Sequence, residues 1–250
     1  MIDKWSVLDG CDIEATDGKM GAVTDFFFDT HEWVVRYFVV DAGSWLQQRR
    51  VLVSPESVTE PRIDGDCGLR VNITKAQVRN SPPLDTNLPF DPQQEVAYRE
   101  YFAWPGYWPV GLFTPAGVGV APGPMAPDLA RHPENMQKAR NQAEQMRLRG
   151  GDEVKGYSIA TRDGDIGAVD DYLLDEDGWV VRYLVVDTKR WLPGKLVLVA
   201  PTWIESVDWS DRKVVVDLTE EQLKTAPEYD KDVGLTVDYE RALMTHYGRH

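Results

Sequence analysis

The chain has 250 residues, of which 42% are hydrophobic, and a formal net charge of −14 at pH 7. This length fits two domains of ordinary size, and the hydrophobic content excludes a wholly disordered chain. Phosphate backbones and anionic lipid headgroups repel such a negative charge. We therefore expect neither nucleic acid nor a bare membrane surface as a partner.

The chain contains an internal repeat. Residues 17–55 and 163–201 align without a gap at a constant offset of 146, and more than half of the aligned positions are identical. A period of this length corresponds to a small domain rather than to a solenoid unit. The sequence therefore predicts two copies of one β-rich domain.

Each copy begins with a predicted β-hairpin. In the first copy, residues 21–29 and 33–41 are strand-like runs separated by an acidic turn, and residues 167–187 repeat this arrangement. Aspartate and glycine between β-branched and aromatic runs are typical of a hairpin. A short apolar run that ends at Pro55 or Pro201 predicts a further strand in each copy, buried on both faces.

Each copy is predicted to close with a short helix. Thr74 and Gln77, like Thr219 and Gln222, have the Thr-x-x-Gln spacing of a capping box, and a proline follows a few residues later. Several short strands with regular turns and one terminal helix favour a small closed barrel. We therefore predict a mainly β fold with two tandem β-barrels, short flanking helices and a pseudo-two-fold relation.

The segment between the copies differs in composition. Residues 86–127 are rich in proline, glycine and aromatic residues, and residues 134–149 are good helix formers. Between residues 102 and 127 there is no charged side chain, but six prolines and five glycines break the continuous helix that a lipid-exposed span requires. We predict no integral membrane segment and a soluble, cytoplasmic protein. The predicted domains are a first barrel at 1–85, a linker with a helix at 86–152, a second barrel at 153–230 and a C-terminal arm at 231–250.

A weaker similarity lies outside the predicted barrels. Val96–Glu100 resembles Val237–Arg241 in the C-terminal arm. This match predicts that the repeat continues into an arm that follows each barrel.

The two cysteines, Cys11 and Cys67, have no equivalents in the other copy. Their spacing fits no metal-ligand pattern, and a disulfide framework belonging to the repeated domain is not expected. We predict two small, partly buried thiols.

The ordered motifs of the repeat resemble the PRC-barrel family. They are D-G-x-x-G-x-V-x-D, W-x-V-R-Y-x-V-V-D-T and W-L-x-G-x-x-V-L-V-x-P, and the second copy carries them in full. The family includes the cytoplasmic domain of the photosynthetic reaction-centre H subunit and the C-terminal domain of the ribosome-maturation factor RimM. This chain is most similar to the tandem two-copy bacterial members. The residues that carry the resemblance are Gly21, Asp25, Trp33, Arg36, Tyr37, Asp41, Trp45, Pro55, Gly167, Asp171, Trp179, Arg182, Tyr183, Asp187, Trp191 and Pro201.

The resemblance implies a non-enzymatic protein-interaction or scaffolding module that regulates or assembles a larger complex. Its protein partner is unidentified, and a homo-oligomer is left open. One alternative is an accessory role in photosynthetic electron or proton transfer, as in the reaction-centre H subunit. A further alternative is a sensor that binds a small ligand or a metal.

Arg36 and Arg182 each lie inside an otherwise apolar strand. One interpretation makes them anchors for a ligand or a partner. The other is structural: a buried charge must be paired, so each arginine would bind a carboxylate and strand ends. Because the arginines recur in both copies, as a fold signature would, we favour the structural interpretation.

No motif predicts catalysis. The four histidines occupy positions that do not match between the copies, and the chain has no nucleophile elbow, phosphate-binding loop or Rossmann glycine run. The oxygen-rich turns at residues 29–32 and 175–178 contain only fragments of a calcium loop. We predict no enzyme, no catalytic or metal site and no cofactor.

The aromatic segment is the strongest candidate for a role beyond the fold. Large aromatic side chains next to proline can form a docking strip for a protein partner. The alternative is that they cover an exposed barrel face or seal the two barrels together. The candidate contact residues are Tyr101, Phe102, Trp104, Tyr107 and Trp108.

Overall fold

The computed structural model describes residues 2–47, 49–63, 66–82, 92–107, 148–188 and 194–248. These residues form a mainly β protein with two compact units, each assembled from separate stretches of the chain. We call Asp12–Glu32 with Arg36–Arg149 the N-terminal unit, and Met1–Cys11 with Trp33–Val35 and Gly150–His250 the C-terminal unit.

Short strands dominate both units. The strands are β1 Ile2–Lys4, β2 Asp12–Ala15, β3 Gly18–Asp29, β4 Val35–Asp41, β5 Arg50–Val53, β6 Val58–Ile63, β7 Asp66–Val71, β8 Leu148–Gly150, β9 Ser158–Ala160, β10 Asp165–Asp175, β11 Val180–Asp187, β12 Leu196–Val199, β13 Ile204–Asp208 and β14 Lys213–Val216. The helices are α1 Trp5–Leu8, α2 Lys75–Asn80, α3 Pro92–Phe102, α4 Gly151–Val154, α5 Glu220–Thr225 and α6 Val237–Tyr247.

The sheet of the N-terminal unit follows the order β5-β4-β3-β2-β7-β6, and β8 pairs with β3 off this path. The pairing of β2 with β7 is parallel, with Ile13 opposite Leu69, whereas β4 with β5 and β6 with β7 are antiparallel. Strands far apart in the sequence therefore meet at the centre of this mixed sheet.

The sheet of the C-terminal unit has the same order, β12-β11-β10-β9-β14-β13. It also contains one parallel pair, β14 with β9, and β1 adds antiparallel to β10 with Asp3 opposite Leu174. The N-terminal strand thus belongs to the sheet of the second copy. Among the described residues no pairing joins β5 to β6 or β12 to β13, so barrel closure stays a prediction.

The local predictions within each copy are confirmed. β3–β4 and β10–β11 are neighbouring strands of the predicted hairpins, and the apolar runs before Pro55 and Pro201 form β5 and β12. Val197, Leu198 and Val199 are fully buried, as expected for a strand covered on both faces. Both capping boxes form, and the helices that they begin, α2 and α5, end before the predicted prolines.

The arm after each sheet is a helix, but its predicted register is wrong. Helices α3 and α6 each have 11 residues and correspond at an offset of 145, whereas the match of Val96–Glu100 to Val237–Arg241 implies 141. Both helices are followed by a residue with left-handed backbone, Ala103 at φ 58° and Gly248 at φ 62°. The error is four residues, about one helical turn, because similar residues recur at that spacing on a helix face.

Two predictions fall wholly or partly outside the described residues. The predicted helix at 134–149 is described only at its end, where Leu148 and Arg149 belong to strand β8. Trp108 and Trp191 also lie outside the described residues. None of the described helices combines the length and the apolar character needed to cross a bilayer.

The prediction of two small, partly buried thiols is wrong, because the structure holds neither Cys11 nor Cys67 as a free thiol. The comparison of the two repeats could not reveal this. That comparison considers only residues that match between the copies, and neither cysteine has a match. The pairing of β2 with β7, which places Asp12 opposite Gly68, joins strands that are distant in the sequence and is not visible from the repeat.

A glycine in each sheet permits a close backbone approach. A Cβ atom added at Gly21 would lie 2.0 Å from the carbonyl oxygen of Asp41, and one at Gly167 would lie 2.1 Å from that of Asp187. Real Cβ atoms essentially never come that near to backbone atoms. These two motif glycines are therefore required by packing inside each hairpin.

We predict that Gly167→Ala lowers the free energy of unfolding by about 1–3 kcal/mol or more, because the new methyl group collides with backbone that cannot move freely. Gly164→Ala is the matched control, since its Cβ would meet only the side chain of Glu220, which can rotate away. Urea denaturation of both variants measures the effect. Equal, small losses in both variants would contradict the close approach.

Candidate functional site

A buried polar cluster lies beneath helix α3 in the N-terminal unit. Glu95, which is 8% exposed, accepts hydrogen bonds at Oε1 from the hydroxyls of Tyr37 at 2.7 Å and Tyr107 at 2.8 Å. Burial raises the pKa of Glu95, against the lowering effect of both tyrosines. Burial and the charge of Glu95 hold the pKa of both tyrosines well above the usual value, so both hydroxyls remain donors at neutral pH.

Arg99 extends this cluster from the same helix. Its side chain is 2% exposed, and its guanidinium donates to Glu56 Oε1 at 2.8 Å, to the hydroxyl of Tyr37 at 3.3 Å and to the carbonyl of Pro105 at 2.9 Å. The guanidinium also lies 5.1 Å from the ring centre of Tyr107. Arg99 therefore ties the sheet, the helix and the segment after the helix together, and it fulfils the rule that a buried charge is paired.

Much of the described aromatic segment is packed into its own unit. Phe102 stacks on Trp104 with ring centres 4.4 Å apart, and the Trp104 ring also lies 6.0 Å from Tyr98 and 6.5 Å from Tyr37. Phe102 and Trp104 are buried, whereas Tyr101 is 40% exposed. Within the described part of this segment, Tyr101 therefore offers the most accessible aromatic ring.

Arg36 pairs with carboxylates at the turn of the hairpin. Its Nε and a terminal nitrogen lie 2.7 and 2.6 Å from Oδ2 of Asp29, and that terminal nitrogen lies 2.5 Å from Glu32. Asp29 is fully buried and also accepts the backbone N–H groups of His31 and Glu32. Burial raises the pKa of Asp29 although the charge of Arg36 opposes this. These contacts support the structural interpretation of Arg36.

The C-terminal unit repeats the central contact. Tyr183, the equivalent of Tyr37, donates to Glu240 Oε1 at 2.7 Å, and Arg182 lies 3.4 Å from the same oxygen. Burial raises the pKa of Tyr183, and the hydrogen bond to Glu240 acts in the same direction. Sequence reasoning missed Glu95 and Glu240. Aligning the two arms at an offset of 145 would have matched them.

The described motif tryptophans have either a left-handed backbone conformation or a side chain that is hydrogen-bonded to the backbone. Trp33 and Trp179 have left-handed φ values of 58° and 54° at the end of each hairpin turn, which is uncommon for bulky residues. Trp45 donates its indole N–H to the carbonyl of Met20 at 2.5 Å, and the amine of Lys75 lies 4.7 Å from its ring. These tryptophans therefore shape turns and loops of the fold.

The remaining motif residues act in local backbone structure. Asp25 and Asp171 each accept the N–H of the following residue, at 2.8 and 2.9 Å, and Asp41 accepts the N–H of Gly43 at 2.8 Å. Pro55 and Pro201 each begin a 3₁₀ turn after a strand. Asp187 closes β11 and lines an open groove described below.

The polar cluster under α3 is suited to holding a helix on a sheet. Its carboxylates, Glu56 and Glu95, accept hydrogen bonds from protein donors at the distances given above. Among the described residues, no group of three or more His, Cys, Asp or Glu side chains could hold a metal ion. The chemistry of this cluster is therefore internal pairing, which fixes the surface formed by α3 and the loop after it.

In a comparison with known protein families, residues 146–223 match the PRC-barrel domain. The matched range runs from just before β8 into α5 and stops short of α6. It covers less than a third of the chain and lies in the second copy. No curated protein matches the chain.

Glu95 predicts a pH-dependent stability. Its folded pKa lies above the ordinary value of 4.5, so the folded state binds the proton more tightly than the unfolded chain. Its contribution to the free energy of unfolding is therefore full below pH 4.5 and falls as the pH rises through the raised pKa. Gln at this position cannot ionise. We therefore expect the free energy of unfolding of Glu95→Gln to lie further below that of the parent protein at pH 4.5 than at pH 7. Urea denaturation at both pH values measures this difference. A difference between parent and variant that is larger at pH 7 than at pH 4.5 would contradict the prediction.

The end of helix α3 predicts a stabilising substitution. Ala103 adopts a left-handed φ of 58° at the position where α6 is followed by Gly248. Because glycine adopts this conformation without a Cβ penalty, we expect Ala103→Gly to raise the free energy of unfolding by up to about 1 kcal/mol. Ala97→Gly, inside the same helix, is the control and is expected to lower stability by about 1 kcal/mol. Thermal unfolding that shows a loss for both variants would contradict the assignment.

Proposed function

We propose that the chain is a non-enzymatic protein-interaction module, built from two PRC-barrel-like domains, that assembles or regulates a larger complex. The family match supports this for residues 146–223. For the first copy, support comes from the aligned repeat and from the identical strand order of the two sheets. Closure of each sheet into a barrel is part of the proposal.

One observation carries the proposal: the motif residues shared by the two copies make their contacts with other residues of the same unit. Tyr37 and Tyr183 each bind a glutamate of the following helix, and Gly21 and Gly167 each lie against a strand carbonyl. These residues build a rigid scaffold. A rigid surface favours binding of a partner because little conformational entropy is lost on association.

Tyr101 is the described aromatic residue best placed for a partner contact. Its ring meets Phe102 edge to face at 4.9 Å, and its hydroxyl donates to the carbonyl of Gln77 at 3.0 Å. A tyrosine held in one orientation and 40% exposed resembles the anchoring residues of protein interfaces. Because the chain carries a net charge of −14, electrostatic steering favours a partner with a basic surface.

A capture experiment tests this function. The full chain, Tyr101→Glu and the control Val233→Glu are used as baits in a lysate of the native cells, and captured proteins are then purified for equilibrium binding. Val233 is a matched control because it is an exposed apolar residue, 67% accessible, in the other unit. We expect one protein to bind the parent chain and Val233→Glu saturably, and to bind Tyr101→Glu at least about tenfold more weakly, as for loss of an interface anchor.

Two results would contradict the proposal. A lack of any saturable protein ligand for the parent chain would contradict the interaction role itself. A partner that binds all three baits equally would leave the role intact and would contradict the contact at Tyr101.

A further inference from the structure

The C-terminal unit contains a cavity of about 180 Å³. Its walls come from the N-terminal segment, the loop after α4, strands β10 to β12 and the segment after α5. The lining residues are Lys4, Ser6, Lys155, Asp170, Asp171, Val185, Leu196, Tyr229 and Lys231.

The lining of this cavity is rich in lysine, although the chain as a whole is acidic. Three lysines from three separate segments and two aspartates line it, and a third aspartate, Asp230, lies near Tyr229. Asp171 already accepts the N–H groups of Ser6 at 3.2 Å and Tyr172 at 2.9 Å. Lys4 donates to the carbonyl of Lys231 at 2.6 Å. In the described part of the chain, neither Lys155 nor Lys231 is seen to form an ion pair.

A buried donor in the same cavity lacks a partner. Tyr229 is 2% exposed, and its hydroxyl makes no hydrogen bond with any residue that the structure describes. Leaving such a group unpaired costs free energy, so a buried hydroxyl without a partner indicates a missing acceptor. Burial, together with the negative charges of Asp171 and Asp230, raises the pKa of Tyr229 to about 12, and the hydroxyl therefore remains a donor at neutral pH.

The size of the cavity limits the ligand. A volume of about 180 Å³ corresponds to roughly six water molecules and is smaller than the roughly 300–1,000 Å³ of pockets for drug-sized ligands. A neighbouring open groove of about 520 Å³ shares Lys155 and Asp170 with the cavity and gives a ligand access to these residues. A nucleotide is too large for the cavity, whereas an oxyanion with a few attached atoms fits.

We propose that this cavity binds a small oxyanion, either inorganic phosphate or a small phosphate monoester, through Lys155, Lys231 and the hydroxyl of Tyr229. Ammonium groups and neutral hydroxyls are donors, and phosphate oxygens supply the acceptors that they need. The site is specific to the second copy. At an offset of 146, the positions of Lys155 and Lys4 correspond to Asp9 and Gly150, which would remove both charges. The proposal does not depend on the protein partner.

Isothermal titration calorimetry of the full chain tests the proposal, with inorganic phosphate and glycerol 3-phosphate as probes at constant ionic strength. The variants are Lys155→Gln and Tyr229→Phe, and the control is Lys213→Gln, whose lysine pairs with Asp165 outside the cavity. Loss of a charge-assisted hydrogen bond is expected to weaken binding about tenfold in Lys155→Gln and about fivefold in Tyr229→Phe. Lys213→Gln should bind like the parent chain.

The two probes distinguish the sources of the ligand. Tighter binding of glycerol 3-phosphate would assign the site to a phosphorylated metabolite, whereas equal affinity for both probes would assign it to inorganic phosphate. Lack of saturable binding of either probe up to about 20 mM, or equal affinities in all variants, would overturn the proposal. In the absence of anion, Tyr229→Phe is expected to melt at the same temperature as the parent chain or higher. A clear decrease would mean that the hydroxyl has a partner in the protein, and would also overturn the proposal.

Discussion

A hydrogen bond from a strand tyrosine to a helix glutamate holds each unit together. It joins Tyr37 to Glu95 and Tyr183 to Glu240, in both cases at 2.7 Å. The glutamates lie on α3 and α6, and an indole lies near each tyrosine ring, Trp104 in one unit and Trp203 in the other, with ring centres 6.5 Å apart in both cases. These two tryptophans come from different places in the repeat, since Trp203 corresponds to Ser57 at the offset of 146.

The two copies share this scaffold and differ in the polar groups placed on it. The first copy adds Arg99 and Glu56 to the buried cluster, and the corresponding positions of the second copy hold Met244 and Thr202. The second copy instead contains the lysine-rich cavity with Lys155. The strand order is the same in both sheets, so the copies differ in these polar groups and not in the strands that support them.

Local features of the fold could be predicted from the sequence, because their signals lie within a few residues. The hairpins and the capping boxes at Thr74 and Thr219 are of this kind. The contact between Tyr37 and Glu95 could not be predicted, because it joins residues 58 apart and depends on the helix register, which a short match misplaced by one turn. The pairing of strand β1 with β10 could not be predicted either, because β1 has only three residues and its partner is distant in the sequence. The cavity was equally hidden, since its lysines come from segments that share no motif.

The most direct test of this account is a pair of double-mutant cycles on the free energy of unfolding. One cycle combines Tyr37→Phe with Glu95→Gln, and the other combines Tyr183→Phe with Glu240→Gln. If the tyrosine–glutamate bond holds each helix to its sheet, each pair should show a favourable coupling energy of about 1–3 kcal/mol. Coupling near zero in either unit would contradict the claim that this bond is the common support of the two copies.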